Sequence, residues 1–169
     1  LSKKEQRHSK HIALLKGLIY SSDGSAMTPV GKAMPGTTKH YRYYRAVIDQ
    51  KVKARTSGLP MIPAHEVEKA VMGQVRKLLK STDIMNEVYK AVKVLDNPNT
   101  KHLDVYQTSN LMANVDQVWD SLYPLEQHRI LHLLVKKVVI YPERIDISLH
   151  PSGVANLVIE VSQKQMELQ

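Results

Sequence analysis

The sequence contains no cysteine. That absence excludes disulfides, thiolate zinc sites and cysteine nucleophiles together, and it fits a reducing compartment. Long apolar runs are missing too. Uninterrupted stretches are only a few residues long, as in Leu133-Leu134-Val135, too short for a membrane span. No signal-peptide pattern opens the chain. Leu1 rather than Met stands first, so the expectation is a piece of a longer protein. Acids are scarce in one region. Residues 1–60 carry 12 Lys and Arg against only Glu5, Asp23 and Asp49, a net +9; residues 61–169 carry the other 12 against 13 acids, a net −1. The whole excess behind the net charge of +8 therefore lies in the first third. Such asymmetry points to a polyanionic partner.

What is present is enough for a core. The chain has 169 residues, 43% hydrophobic and 24% charged, which suits one or two compact domains and excludes a disordered tail. Residues 1–11 are polar and basic, read as a linker or arm. A short apolar stretch, Ile12 to Tyr20, follows. Residues 21–60 are dense in turn formers: Ser21 to Ser25 with Gly24, Pro29, Gly31, Pro35-Gly36 and Ser57-Gly58. Short strand-like runs lie between them, at Ala26 to Val30, His40 to Ile48 and Gln50 to Arg55, so this region predicts hairpins and loops. Its few large apolar residues cannot build a core alone. It is expected to lean on another part of the chain or on a metal.

From Pro63 the period changes. Val67, Val71, Val75, Leu78 and Leu79 form one helical face, with Pro63 in the first turn and Glu66 and Glu68 near the positive end of the dipole. Ser81, Thr82 and Asp83 can cap a second helix carrying Ile84, Val88, Val92 and Leu95. Leu111, Val115, Val118, Trp119 and Leu122 mark a third. Pro124 opens a fourth, with Ile130, Leu131, Leu134, Val135 and Val138 inward. These predict an antiparallel helical pack. In the tail, Val138 to Tyr141 is β-branched and apolar. Ile145, Ile147 and Leu149 alternate with polar residues, and Leu157, Ile159 and Val161 alternate again, predicting two strands around a loop at 150–153. Residues 162–169 read as a frayed end.

Lys39-His40-Tyr41-Arg42-Tyr43-Tyr44-Arg45 interleaves aromatic and basic side chains. In a strand, His40, Arg42 and Tyr44 share one face and Tyr41, Tyr43 and Arg45 the other. Arginine binds phosphate or forks onto a guanine edge, and tyrosine stacks on bases. Lys32 precedes the segment; Lys51, Lys53 and Arg55 follow it. A two-stranded ribbon with such a face fits a DNA groove. The candidate DNA-binding set is therefore Lys32, Lys39, His40, Tyr41, Arg42, Tyr44, Arg45, Lys51, Lys53 and Arg55. The period alone does not say which face is outward.

Catalytic sets are not in evidence. The sequence has no phosphate-binding Gly-rich loop with Lys-Ser and no Gly-x-Ser-x-Gly elbow. His128 and His132 are four apart on a predicted helix. Arg129, Ile130 and Leu131 between them supply no glutamate base and no third ligand is indicated, so the pair reads as surface or interhelical histidine. No catalytic residue, metal site or cofactor is assigned.

Several fragments in order resemble the C-terminal β-ribbon domain of large serine site-specific recombinases. They are Leu14 to Tyr20, Gly24 to Pro29, Tyr41 to Tyr44, Ile62 to Glu68, Trp119 to Leu131, and Leu134 to Val138 leading into Tyr141-Pro142 and Ile145 to Ile147. In that family the ribbon usually holds zinc through two cysteine pairs. Here those places carry Ser21 or Ser22 with Gly24, then Ala46, then Ser57 or Gly58, so the resemblance is to a zinc-ribbon-like branch without zinc. Its ribbon is expected to be held by packing, with the C-terminal strands or the helices over its apolar side.

The implied fold class is α+β: a small β-ribbon subdomain, an antiparallel helical hairpin or bundle, and a C-terminal β-hairpin packed back on the ribbon. The expected divisions are 1–13 (basic linker or arm), 14–62 (metal-free ribbon), 63–137 (helical) and 138–169 (strands and tail). The resemblance implies a non-enzymatic fragment that binds double-stranded DNA at the outer part of a recombination half-site. The serine-nucleophile domain would lie elsewhere in the same parent chain, beside its other recombinase domain. It also implies a cytoplasmic bacterial or phage protein of a mobile element, acting in DNA integration. The other reading is a protein–protein interaction module, in which the helices mediate subunit association or bind an accessory factor.

Overall fold

The computed structural model describes residues 12–38, 40–52 and 56–168, with only the backbone at His40. The predicted arm at 1–11 and the candidates Lys39, Lys53 and Arg55 lie outside the described residues. The elements run β1 (Ile19–Ser21), β2 (Met27–Ala33), β3 (His40–Ala46), α1 (Val47–Val52), β4 (Ile62–Pro63), α2 (Ala64–Leu79), α3 (Thr82–Val94) and α4 (Val105–Val118). A 3-10 turn (Trp119–Ser121), α5 (Pro124–Leu134), β5 (Val135–Ile140), β6 (Ile145–Leu149) and α6 (Pro151–Glu167) complete the chain. The class is α+β. Two three-stranded sheets form, in the orders β1-β5-β6 and β2-β3-β4. β2 and β3 make the ribbon, antiparallel from Met27 opposite Ala46 to Ala33 opposite His40. β1 runs parallel to β5, and β5 antiparallel to β6.

The helices follow their apolar spacing. α2 buries Val67, Val71, Met72, Val75 and Leu79. The Ser81 side chain caps α3 by accepting from the Ile84 N–H, and α3 buries Met85, Val88 and Val92. α4 starts earlier than its apolar stripe suggests, at a reciprocal box: the Gln107 N–H donates to Asp104 at 2.7 Å and the Asp104 N–H to the Gln107 side chain at 3.0 Å. That pair satisfies two helix-end N–H groups. Pro124 and Pro151 open α5 and α6, where the missing N–H costs nothing.

Three local expectations are corrected. Residues 157–161 are helical, and Pro151 to Gly153 of the predicted loop and 162–167 of the predicted frayed end belong to the same helix, α6, with His150 as its extended N-cap. Val154, Leu157, Val158 and Ser162 are buried at helical spacing, so the segment satisfied both periods, and packing on α3 selected the helix. The last bundle helix stops at Leu134 rather than reaching Val138. The β-branched run Val135 to Ile140 prefers the sheet, and the Val138 N–H donates to the Leu18 carbonyl at 2.8 Å. The hairpin is therefore β5–β6, and it joins the ribbon sheet through β1 and a single Tyr20–Ala26 bridge. Lastly, residues 47–52 are helical rather than extended.

Gly153 sits where α6 crosses the end of α5. A Cβ there would lie 1.9 Å from the Leu133 carbonyl oxygen, a clash with backbone rather than with a movable side chain. Ala gains at most about 1 kcal/mol of helix propensity, which does not offset overpacking of about 1–3 kcal/mol. Gly153→Ala is expected to lower the melting temperature by several degrees, read by circular dichroism; an equal or higher value would show that α6 is not seated there.

Candidate nucleic-acid interface

Alternation on β3 divides the candidate residues. One face carries Arg42, Tyr44 and Ala46, opposite Gly31, Pro29 and Met27. Tyr44, Ala46 and Met27 are buried, so this face is inward, toward α2 and the segment that leads into β1. The Tyr44 hydroxyl donates to Glu68 Oε1 at 2.8 Å and accepts from the Leu15 N–H at 3.0 Å. The same Glu68 oxygen accepts from the Leu14 N–H at 3.0 Å. Burial, and then the Glu68 charge, push the Tyr44 phenol far above its ordinary pKa, so it stays a neutral donor. Tyr44, expected among the DNA contacts, lies inside: its ring has no exposed surface and its hydroxyl bonds within the fold.

The other face carries Tyr41, Tyr43 and Arg45, opposite Lys32, Val30 and Thr28. Tyr41 is 47% exposed, Lys32 is exposed, and Tyr43 and Arg45 are half-buried. Arg45 Nη2 donates to the Asp49 carbonyl at 2.8 Å, which anchors the guanidinium beside α1. Lys51 is exposed on that helix. The structure thus gathers Lys32, Tyr41 and Arg45 on the outer face and adds Tyr43, absent from the sequence-derived set. The signal for Tyr43 was available: once Tyr44 is inward, period two puts Tyr43 outward. Arg42 is separated from Arg45. It lies on the inward face, half-buried, with Nη1 buried and without a hydrogen-bond partner among the described residues. His40 occupies the end of β3, opposite Ala33.

The turns beside Ser21 and Ser57 are closed by polar side chains. Ser21 Oγ donates to the Asp23 carboxylate, and the Ser25 N–H donates to the same carboxylate at 3.0 Å. Asp49 accepts from the Ser57 N–H at 2.9 Å and the Ser57 hydroxyl at 2.6 Å. Ser25 Oγ accepts from the Ile48 N–H at 3.2 Å and links the two turns. These bonds, the serine hydroxyls first, hold both carboxyls below the usual carboxylate range. A zinc ion does not fit this donor set, because Ser21 and Ser57 spend their hydroxyls within the turns and no thiolate is present. On α5, His128 and His132 stack with ring centroids 4.0 Å apart. Burial, then the neighbouring His132, lowers the His128 pKa. Among the described residues no group of three or more His, Asp or Glu converges as a metal site.

No protein-family model matches the sequence, and no curated protein matches it. The solved structures similar to the chain include these two. The chain is like part of an LSR–DNA complex. That likeness has a TM-score of 0.49 and 18% identity and covers 81% of this chain and 55% of the other. The second comes from work on the sequence requirements of the Listeria innocua prophage attP site, with a TM-score of 0.44 and 16% identity, covering 89% of this chain and 48% of the other. The chain thus spans about half the length of each. Among the described residues, no helix is long and apolar enough to cross a membrane.

Tyr44→Phe keeps the ring and removes one hydroxyl. It leaves the buried Leu15 N–H without its acceptor, a loss of about 1–3 kcal/mol. Chemical denaturation is expected to show that loss with an unchanged slope; a midpoint equal to the parent chain's would mean the cluster does not hold the ribbon.

Proposed function

We propose that the chain is the DNA-binding C-terminal piece of a large serine recombinase, holding the outer part of a recombination half-site on double-stranded DNA. The observation that carries this reading is the division of the ribbon. Its inward face is closed by Tyr44, while its outward face presents Lys32, Tyr41, Tyr43 and Arg45 together. The +9 charge of the first third and the resemblance of six ordered fragments support it. Lys32 and Lys51 bind phosphates and set register. Arg45, with Tyr41 and Tyr43, reads or stacks on bases. The chain itself does no strand cleavage; the serine nucleophile belongs to another domain of the parent. Catalytic and recombinase domains of that parent are its partners in cis.

Fluorescence anisotropy with a labelled mixed-sequence duplex tests the reading. Between about 50 and 200 mM salt the affinity is expected to fall steeply, since six to ten phosphate contacts cost about 10³–10⁵ over that range. Arg45→Ala with Tyr41→Ala is expected to weaken binding by about 1–3 kcal/mol per base contact. No binding at the lower salt, or full affinity in the double variant, excludes the outward face as the site.

A second reading, association of subunits through the helices, is favoured by one observation. Val94 and Tyr106, 82% and 73% exposed, stand with Leu95 and Val105 at the two ends of the α3–α4 connection. Sedimentation of the chain without DNA checks this: a dimer that Tyr106→Glu disperses supports it, and a monomer at all concentrations dismisses it.

A further inference from the structure

We propose that a second cationic strip, Lys136 and Lys137 of β5 with Tyr20 of β1, binds phosphates of the same duplex beyond the ribbon. The inference rests on the DNA-binding reading above and extends its footprint to a sheet that sequence charge gave no reason to include. Residues 61–169 sum to −1, so their lysines carry no signal by count.

The backbone supplies the signal. In a regular strand consecutive side chains point to opposite faces, so one of two adjacent lysines would face the core. β5 avoids this. Its pairing with β6 slips between Val135 and Lys137, where Val135 lies opposite Leu149 and Lys137 opposite Ser148. The extra residue of such a bulge re-aims its neighbours. Val135, Val138 and Ile140 are buried while Lys136 and Lys137 are both exposed.

The strip is continuous with the ribbon's outward face. Lys137 Nζ lies 4.7 Å from the centre of the Tyr20 ring. Tyr20 is bridged to Ala26, and bridged residues direct their side chains to the same side of a sheet. From Ala26, period two leads through Thr28 and Val30 to Lys32. Strand rise and spacing put the row from Lys137 to Lys32 at roughly 30 Å, within one turn of B-DNA, about 34 Å. One duplex therefore reaches both ends.

The charge of the strip is not cancelled locally. Asp146, on the same face of β6, is held by Arg144 at 3.1 Å. Asp23, in the turn between Tyr20 and Ala26, is tied to Ser21 and Ser25. Among the described residues Lys136 and Lys137 form no ion pair. Two ammonium groups on a rigid sheet, unpaired among the described residues and in line with the ribbon, suit a phosphate backbone. They carry no base specificity.

The test compares three forms of the chain by anisotropy across salt: the parent, K136Q/K137Q and K136R/K137R. Each phosphate contact contributes about 0.9 to the slope of log affinity against log salt. K136Q/K137Q is expected to lower that slope by about 1.8, with the same fractional loss of affinity on every duplex sequence. K136R/K137R is expected to restore the slope, which separates charge from folding. A parent slope and affinity in K136Q/K137Q, while Arg45→Ala with Tyr41→Ala loses binding, would overturn the strip and leave the ribbon reading intact. Failure of the parent chain to bind any duplex at about 50 mM salt would remove both.

Discussion

A single buried hydroxyl decides which way the ribbon faces. Tyr44 donates to Glu68 on α2 and accepts from the backbone of Leu15, while Glu68 also takes the Leu14 N–H. Three separate parts of the chain meet there: the ribbon, the first long helix and the segment ahead of β1. A buried phenol is costly unless its bonds are made, and the half-buried Glu68 and the Leu15 N–H make them only with Tyr44 turned inward. Every outward residue of β3 follows from that choice by alternation. Cation placement on the surface is thus a consequence of a polar contact in the interior.

The same cluster, with the two serine–aspartate turns, ties the ribbon's loops by hydrogen bonds alone. A zinc ion ties two loops at one point; here Ser21 with Asp23 and Asp49 with Ser57 close the loops separately, and Ser25 joins them. The apolar side of the ribbon is then covered by α2 and by Leu15, Leu18 and Ile19. A small subdomain with few large side chains of its own thereby shares one core with the helices.

Much of this was legible in the sequence, and the failures have physical causes. The stripes of α2 and α3 and the alternation of 40–46 read directly, because one period fitted and the other did not. The sequence could not orient β3, since Arg42 and Arg45 are equivalent by type and differ only in which shares the inward face with Tyr44. Residues 154–161 fitted both periods, and contact with α3 and the Leu133 carbonyl chose between them. The helix end at Leu134 was hidden because an apolar run continues through it into β5. Lys136 and Lys137 were invisible as a pair until the bulge placed them on one side.

The parallel pairing of β1 with β5 joins Ile19 to Val138, positions separated by 138 − 19 = 119 residues. Closing a loop of that size demands chain entropy before the contact returns anything, and contacts so distant in sequence slow folding. Emerging from the ribosome, the ribbon has no partner for β1 until β5 has been made. The Tyr20–Ala26 bridge is local and needs no later segment, but β1 gains its parallel neighbour only when β5 is in place. Until β5 is in place the outward row ends at Tyr20, without Lys136 and Lys137 beside it.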